Sequence, residues 1–182
     1  MDDGADDLQY LIAGADDLAA YLESDVLFWP LQSQTQPLTI GNLLLAQKRV
    51  AALFPSGDPK IQQADDQIAQ GREKRGAAWR RRASSEFHAR LAQFKSTIMD
   101  ASEADNRGVS YPVLARLRVI LELLRGEIEG SLQADTSLSS LDVQLQKLIT
   151  SADFIWQQQL QSAFPTQQFW FLYAKYAKRS AG

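Results

Sequence analysis

Cysteine is absent from this chain of 182 residues. Its absence excludes disulfide bonds, thiolate metal sites, iron–sulfur clusters and cysteine nucleophiles, and it fits a reducing compartment. Histidine is nearly absent, since His88 stands alone, whereas a di-iron site in a helical bundle needs two Glu-x-x-His motifs. A Gly-x-Ser-x-Gly nucleophile turn, a phosphate-binding glycine loop and a dinucleotide fingerprint are also missing from the sequence. We therefore expect a protein that is not an enzyme and holds no cofactor or metal.

Long hydrophobic runs are missing as well. Apolar runs such as Val26-Leu27-Phe28-Trp29 fall far short of the ~20 residues that a membrane-spanning helix needs. The first seven residues include four aspartates and no base, whereas a secretion signal begins with basic residues. The hydrophobic content of 45% and the mean hydropathy of -0.27 are those of a soluble globular protein. These features predict a soluble, cytoplasmic protein, and the length predicts one helical domain over residues 1–182.

Proline and glycine are scarce, at six and ten residues, and most of them punctuate segments with helical periodicity. Apolar residues recur every three or four positions, which is typical of helices with one buried face. Besides the segment considered next, the predicted helices cover about 6–23, 39–54, 113–132, 138–163 and 167–179. The sequence contains no β pattern of useful length. The prediction is an all-α fold, an elongated helical bundle of five to six helices with 113–132 at its centre.

The longest predicted element covers residues 58–100. Asp58-Pro59 is typical of a helix start, with Asp as N-cap and Pro at the first helical position, and no further proline follows before residue 100. Gly71 and Gly76 interrupt the apolar pattern, and each costs about 1 kcal/mol relative to alanine inside a helix. Two interpretations are open: one very long helix, or two helices that meet near 71–76. We favour the continuous helix because the segment lacks an internal proline or capping cluster.

The predicted central helix also carries charge. Arg118, Glu122, Arg125 and Glu129 follow one another at three- and four-residue spacing. On an exposed face, such pairs stabilise a helix by a few tenths of a kcal/mol each. We expect these four side chains to form a solvated ladder on the side of the helix that faces away from the core.

Charge is distributed unevenly along the chain, despite a net charge of -3. The first 47 residues contain eight acids and no lysine or arginine, whereas residues 48–95 contain eleven bases and five acids. The densest positive charge lies within residues 72–82, which we call the basic segment. Its candidate contact residues are Arg72, Lys74, Arg75, Trp79, Arg80, Arg81 and Arg82.

The basic segment has three interpretations. It is a solvated helix face, a partner for the protein's own acidic first helix or another copy of the chain, or a site for nucleic acid or another polyanion, with Trp79, Phe87 or His88 stacking on bases. Polyanion-binding domains usually have a high pI, and this chain has a pI near 5.2. We therefore favour pairing with the acidic first helix over nucleic-acid binding.

Aromatic residues near the C-terminus supply the last signal. Phe154 and Phe171 lie off the main apolar stripes of their predicted helices, which suggests that they form an apolar interface together with Trp170. The leading functional prediction is therefore a non-enzymatic protein–protein interaction module that associates with itself or with another protein. Polyanion binding through the basic segment is one alternative. A second alternative is a small-molecule-binding bundle with a pocket lined by Trp29, Trp156 and Trp170.

Overall fold

A computed structural model describes residues 3–32, 34–102, 109–128 and 132–177. The α-helices are α1 (Asp3–Glu23), α2 (Ile40–Leu53), α3 (Pro59–Lys74), α4 (Gly76–Ser102), α5 (Tyr111–Arg125), α6 (Leu132–Gln146) and α7 (Thr166–Phe169). The strands are β1 (Ile149–Ser151) and β2 (Ala174–Tyr176). Two 3₁₀ helices, Gln158–Ala163 and Trp170–Tyr173, complete the regular structure of these residues. The all-α class is confirmed.

Two helix starts form where the sequence signals predict them. The hydroxyl of Thr39 accepts a hydrogen bond from the backbone N–H of Asn42 at 3.1 Å and caps α2. The carboxylate of Asp58 accepts one from the N–H of Lys60 at 2.8 Å and caps α3, with Pro59 in its first turn. Each cap satisfies an N–H group that has no partner within its helix.

The centre of the fold is α5. It packs against both α2 and α4, while α1 packs against α2 and α3. Ten of the fifteen residues of α5 are buried, and they are Tyr111, Leu114, Ala115, Leu117, Arg118, Val119, Ile120, Leu121, Glu122 and Leu124. The prediction of a central helix here is confirmed, but α5 ends at Arg125 rather than near residue 132. Positions 129–131 of the predicted helix lie outside the described residues.

The prediction of one continuous helix over residues 58–100 is wrong. The segment consists of α3 and α4, which meet at Arg75. The backbone of Arg75 has φ −125° and ψ 35°, well away from the values near −63° and −42° of an α-helix. Gly76 then opens α4. The alternative of two helices meeting near residues 71–76 is therefore the observed one.

Packing against α1 accounts for the glycine before this break. A Cβ atom added at Gly71 would lie 2.8 Å from the Cδ2 atom of Leu18, a fully buried residue of α1. Glycine at this position therefore allows α1 to approach α3 closely. The helix cost of Gly71 is offset by contact with an element more than 50 residues away in the sequence.

The predicted helices over 138–163 and 167–179 are also wrong. The helix α6 runs from Leu132 and ends at Gln146, so the later apolar residues of this segment do not share a helix face. Strands β1 and β2 pair in antiparallel fashion, with Ile149 opposite Tyr176 and Ser151 opposite Ala174. Hydrogen bonds continue on both sides of the pair, since Ala152 donates to the Tyr173 carbonyl at 2.9 Å. Positions 178–179 lie outside the described residues.

Three buried tyrosines fasten helices to non-helical segments. Tyr10 of α1 donates to the carbonyl of Pro37 at 2.9 Å, and Tyr21 donates to that of Leu27 at 3.2 Å. Tyr111 of α5 donates to the carbonyl of Phe171 at 2.7 Å. Burial raises the pKa of each of these phenols well above its usual value. The connector 24–39 and the C-terminal segment are thus held by phenols that must keep their protons.

We expect the free energy of unfolding to fall steeply above pH 10. The unfolded chain releases the three phenol protons near the usual tyrosine pKa, whereas the folded chain keeps them to higher pH because burial raises the pKa of Tyr10, Tyr21 and Tyr111. For each of these phenols, the free energy of unfolding falls by about 1.4 kcal/mol per pH unit above pH 10, because the unfolded chain has released a proton that the folded chain still holds. The contribution of the three protonated phenols to the stability of the folded state is complete below pH 10. It is lost as the pH rises towards their folded-state pKa.

Urea unfolding at pH 8, 10 and 11, with tyrosinate absorbance followed in parallel, measures this loss. The variants Tyr10→Phe and Tyr111→Phe each remove one such proton, so the stability of each should depend less steeply on pH. Tyr173→Phe is the matched control because Tyr173 is only half-buried. A slope that Tyr10→Phe and Tyr111→Phe leave unchanged would contradict the assignment.

Candidate functional site

The acidic first helix covers part of the basic segment, as the charge asymmetry predicts. Arg75 forms an ion pair with Glu23 of α1, and the guanidinium of Arg82 lies 5.5 Å from the ring centre of Tyr21. Lys74, Arg80 and Arg81 are exposed. The structure therefore divides the basic segment into cations that face α1 and cations that face solvent.

Trp79 does not belong to an exposed surface. It is 1% exposed, and its indole N–H donates to the carboxylate of Glu127 at 2.8 Å. Arg72 pairs with the same carboxylate and lies 5.1 Å from the ring centre of Trp79. Phe87 is fully buried as well. A polyanion at this surface would meet exposed lysine and arginine but neither of these rings, so the expectation that Trp79 or Phe87 stacks on bases is wrong.

The residues predicted as an apolar interface pack mainly on the protein's own core. Phe171 is fully buried, and the guanidinium of Arg118 lies 4.7 Å from its ring centre. Phe154 and Trp170 are half-buried and pack against core residues. The turn-rich C-terminal segment thus places Phe171 in the protein's own core. Phe171 is therefore corrected from an interface residue to a core residue.

The three tryptophans predicted to line a common pocket have separate roles. The indole N–H of Trp29 donates to Asp17 at 2.9 Å, and the backbone of Trp29 pairs with Leu38. Trp170 makes an edge contact with the ring of Phe171. Trp156 lines a surface pocket, where the guanidinium of Arg49 lies 5.2 Å from its ring centre. Of the three, only Trp156 borders the pocket described below.

A buried carboxylate organises the polar interior. Glu86 of α4 is 0% exposed and accepts hydrogen bonds from the backbone N–H of Gly41 at 2.8 Å and from Nε of Arg90 at 2.6 Å. Gly41 lies in the first turn of α2, where the helix dipole favours a negative charge. A Cβ atom at Gly41 would lie 2.4 Å from Cγ2 of Ile120 and 2.8 Å from Oε1 of Glu86. Glycine therefore gives the carboxylate access to the end of α2.

The charged ladder predicted on the outside of α5 is largely inside the protein. Arg118 and Glu122 are 3% and 5% exposed, and they pair with each other at 3.0 Å. Arg118 also makes two hydrogen bonds of 2.8 Å to the carboxylate of Asp142 in α6. Arg125 pairs with Glu122 from the exposed side, and Glu129 lies outside the described residues. The expectation of a solvated ladder is corrected, because α6 and the C-terminal segment cover this side of α5.

A polar pocket lies where α1, α2, α5 and the connector meet. It has a volume of about 260 Å³ and adjoins a second pocket of about 360 Å³ that shares Arg116 and four other residues with it. We call the two together the Arg116 pocket. Its polar lining residues are Asp6, Asp7, Gln9, Tyr10, Gln34, Thr35, Gln36, Asn42, Arg49 and Arg116.

Arg116 is the half-buried cation at the centre of this pocket. Its Nη2 group donates to the side-chain carbonyl of Gln36 at 2.7 Å and to that of Asn42 at 3.4 Å. Its Nε and Nη1 groups make no hydrogen bond to the described residues. Burial, and next the nearby charge of Arg90, lower the pKa of Arg116. The guanidinium has thus lost much of its hydration. Its hydrogen-bond acceptors are neutral amides, and the charge of Asp7 acts on it without a direct ion pair.

The other arginines of the polar interior are neutralised. Arg49 pairs with Asp7 at 2.5 Å, Arg90 with Glu86 at 2.6 Å, and Arg118 with Asp142 at 2.8 Å. Arg116, by contrast, has no carboxylate within 4 Å among the described residues. A desolvated guanidinium gains most from a carboxylate or phosphate oxygen that completes its hydrogen bonds. The chemistry of the pocket is therefore suited to an anionic group at Arg116.

Two carboxylates also line the pocket, those of Asp6 and Asp7. Asp6 and Asp7 lie in the first turns of α1, and Asp6 is exposed. Asp7 is paired with Arg49, whose side chain is 12% exposed. A pocket that contains both a guanidinium and the exposed carboxylate of Asp6 complements a molecule that carries both charges. Among the described residues, no group of three or more His, Asp or Glu could hold a metal ion.

The described helices include none that is long and apolar enough to cross a membrane. Comparison of the chain with protein-family models, with curated proteins and with solved structures found no match. The class of protein is therefore defined by its fold and its sites alone: a helical protein with a polar, Arg-centred pocket.

Sequence reasoning did not find Arg116, Asn42 or Glu86. Each is an ordinary helix residue in the sequence, and their contacts join positions 45 to 80 residues apart. One signal was present for Arg116, since it follows two buried residues in an apolar helix. The pocket around Arg116 depends on the connector, whose residues Gln34, Thr35 and Gln36 complete its lining, and the sequence does not show where the connector lies.

Proposed function

We propose that this chain is a non-enzymatic binding protein for a small amino-carboxylate molecule, and that the Arg116 pocket is its binding site. The observation that carries the proposal is that, among the described residues, no carboxylate forms a direct ion pair with the half-buried Arg116. The ligand's carboxylate would complete the hydrogen bonds of that guanidinium, and its ammonium group would face Asp6. Pockets of this kind use a few convergent polar groups to orient a ligand.

Thermal unfolding with a panel of small molecules tests the proposal. The panel has four classes: α-amino acids, carboxylic acids without an amine, amines without a carboxylate, and inorganic phosphate. A ligand at one hundred times its Kd stabilises the folded state by about 2.7 kcal/mol. In a domain of this length, that corresponds to a rise in Tm of about 5–10 °C. We expect members of the amino-acid class to give the largest rise.

The variant Arg116→Met separates binding from stability. It should abolish the ligand-induced rise in Tm but change the free energy of unfolding without ligand by only about 1 kcal/mol, because it removes a desolvation cost together with two hydrogen bonds. Arg81→Met is the matched control, since Arg81 is an exposed arginine outside the pocket. If no class of the panel raises Tm, or if Arg116→Met keeps the rise, the proposal is wrong. A rise caused by simple carboxylates alone would keep the site and remove the role of Asp6.

A further inference from the structure

A second surface, independent of the Arg116 pocket, lies between α4 and α6. This groove has a volume of about 520 Å³ and is lined by His88, Leu91, Ala92, Lys95, Thr136, Ser137, Ser140, Leu141 and Gln144. We call it the α4–α6 groove. Its floor is apolar, with Leu141 buried and Leu91 half-buried. Each wall spans two helical turns or a little more, about 11–12 Å at 1.5 Å per residue.

The groove is bordered mainly by positive charge, with the carboxylates of Asp100 and Asp135 exposed beyond its lining residues. Lys95 is exposed on the α4 wall, and Arg81 is exposed on the same helix face, seven residues before the lining residue His88. Lys147 is exposed one turn after Gln144 at the end of the α6 wall. None of the nine described residues that line the groove carries a carboxylate.

Apolar surface continues beyond the groove. Met99 lies one turn after Lys95 on α4 and is 52% exposed, and Val143 of α6 is 55% exposed. Exposed apolar residues with charged residues at their rim are typical of surfaces that receive an amphipathic helix. Helix-in-groove recognition places apolar residues at i, i+4 and i+7 against such a floor, with charged residues towards the rim.

We propose that the α4–α6 groove docks an acidic amphipathic helix of a partner protein. Leucine-type side chains of that helix pack on Leu91 and Leu141, while its carboxylates face Lys95 and Arg81. This assignment moves the protein-interaction function away from the C-terminal aromatics. The charge of the groove complements an acidic segment. The protein's own acidic helix, α1, is packed on α2 and α3, so the helix that occupies the groove belongs to a partner.

Fluorescence polarisation with two designed peptides tests the proposal on the full chain. Both peptides carry Leu at i, i+4 and i+7, one with Glu and the other with Lys at the flanking positions. We expect the Glu peptide to bind at least about tenfold more tightly than the Lys peptide, a difference of about 1.4 kcal/mol. Lys95→Glu should weaken binding of the Glu peptide, and Lys60→Glu, an exposed lysine of α3, should leave it unchanged.

Two bulky substitutions locate the binding to the groove. Ala92→Trp and Ser140→Trp fill it from opposite walls, and both positions are exposed, so the fold should persist by circular dichroism. Ala69→Trp, on the exposed face of α3, is the control. Equal affinity for the two peptides, or equal effects of Ala92→Trp and Ala69→Trp, would overturn the proposal. Sedimentation adds a further outcome: a dimer of the parent chain that Ala92→Trp dissociates would assign the groove to a second copy instead of a partner.

Discussion

Replacing Glu86 with alanine is expected to lower the free energy of unfolding by about 3–5 kcal/mol. The variant leaves Arg90, whose side chain is 12% exposed, without its counter-charge. It also leaves the buried N–H of Gly41 without the acceptor that now lies at 2.8 Å. An unpaired buried charge and an unsatisfied donor are among the most costly defects in a protein interior.

Urea unfolding followed by circular dichroism measures this loss. Glu86→Gln is expected to be less damaging than Glu86→Ala, because its amide oxygen still accepts from Gly41 while the charge opposite Arg90 is gone. Glu73→Ala is the control: Glu73 is an exposed glutamate of α3, and such substitutions usually stay within about 0.5 kcal/mol. A loss below about 1 kcal/mol for Glu86→Ala would mean that water replaces the carboxylate.

Arg118→Met is expected to cost about 3–5 kcal/mol as well. It leaves the 3% exposed side chain of Glu122 and the carboxylate of Asp142 without the guanidinium that joins them. Both the α5–α6 link and the packing of Arg118 on the ring of Phe171 are lost at once. The effect should therefore be much larger than that of a surface ion pair, which contributes about 0–1 kcal/mol.

Two further variants identify the cause of the loss. Arg125→Met removes the other partner of Glu122, but the side chain of Arg125 is 46% exposed, so the cost should stay below about 1 kcal/mol. The double variant Arg118→Met/Glu122→Leu removes one of the two stranded charges and should recover part of the stability. If Arg118→Met and Arg125→Met cost the same, burial is not what makes the Arg118 pair important.

The sequence predicts those parts of the fold that depend on local signals. The caps at Thr39 and Asp58 and the apolar stripe of α5 act within one or two turns, and each of these elements is confirmed. The break at Arg75 was visible as an alternative because Gly71 and Gly76 weaken a helix. The close approach of Leu18 from α1 explains why position 71 is glycine, and local periodicity does not contain such a contact.

The C-terminal segment shows where local signals mislead. Leu145, Leu148 and Leu160 fit a helical period, yet α6 ends at Gln146 and β1 pairs with β2 across 25 residues. Packing of Phe164, Phe169 and Phe171 edge to face against one another fixes this segment. Tertiary contacts of this kind override helix propensity.

The charged residues of α5 differ from the prediction of a solvated face for a related reason. Arg118 and Glu122 have the spacing of an exposed ladder, but they fall on the side that α6 covers, and Asp142 lies 24 positions later in the chain. Charged spacing alone does not distinguish a solvated face from a buried ion pair. The candidate site has the same origin, since the connector brings Gln36 to Arg116 across 80 positions.

The contact between Gly41 and Glu86 has a consequence for sequence change. The space that a Cβ atom would take at position 41 is the space that the carboxylate of Glu86 and the methyl group of Ile120 occupy. A side chain at position 41 would displace both groups, so a change at position 86 alone does not make room for it. In any descendant of this chain that keeps the fold, position 41 is therefore expected to stay glycine unless positions 86 and 120 both change.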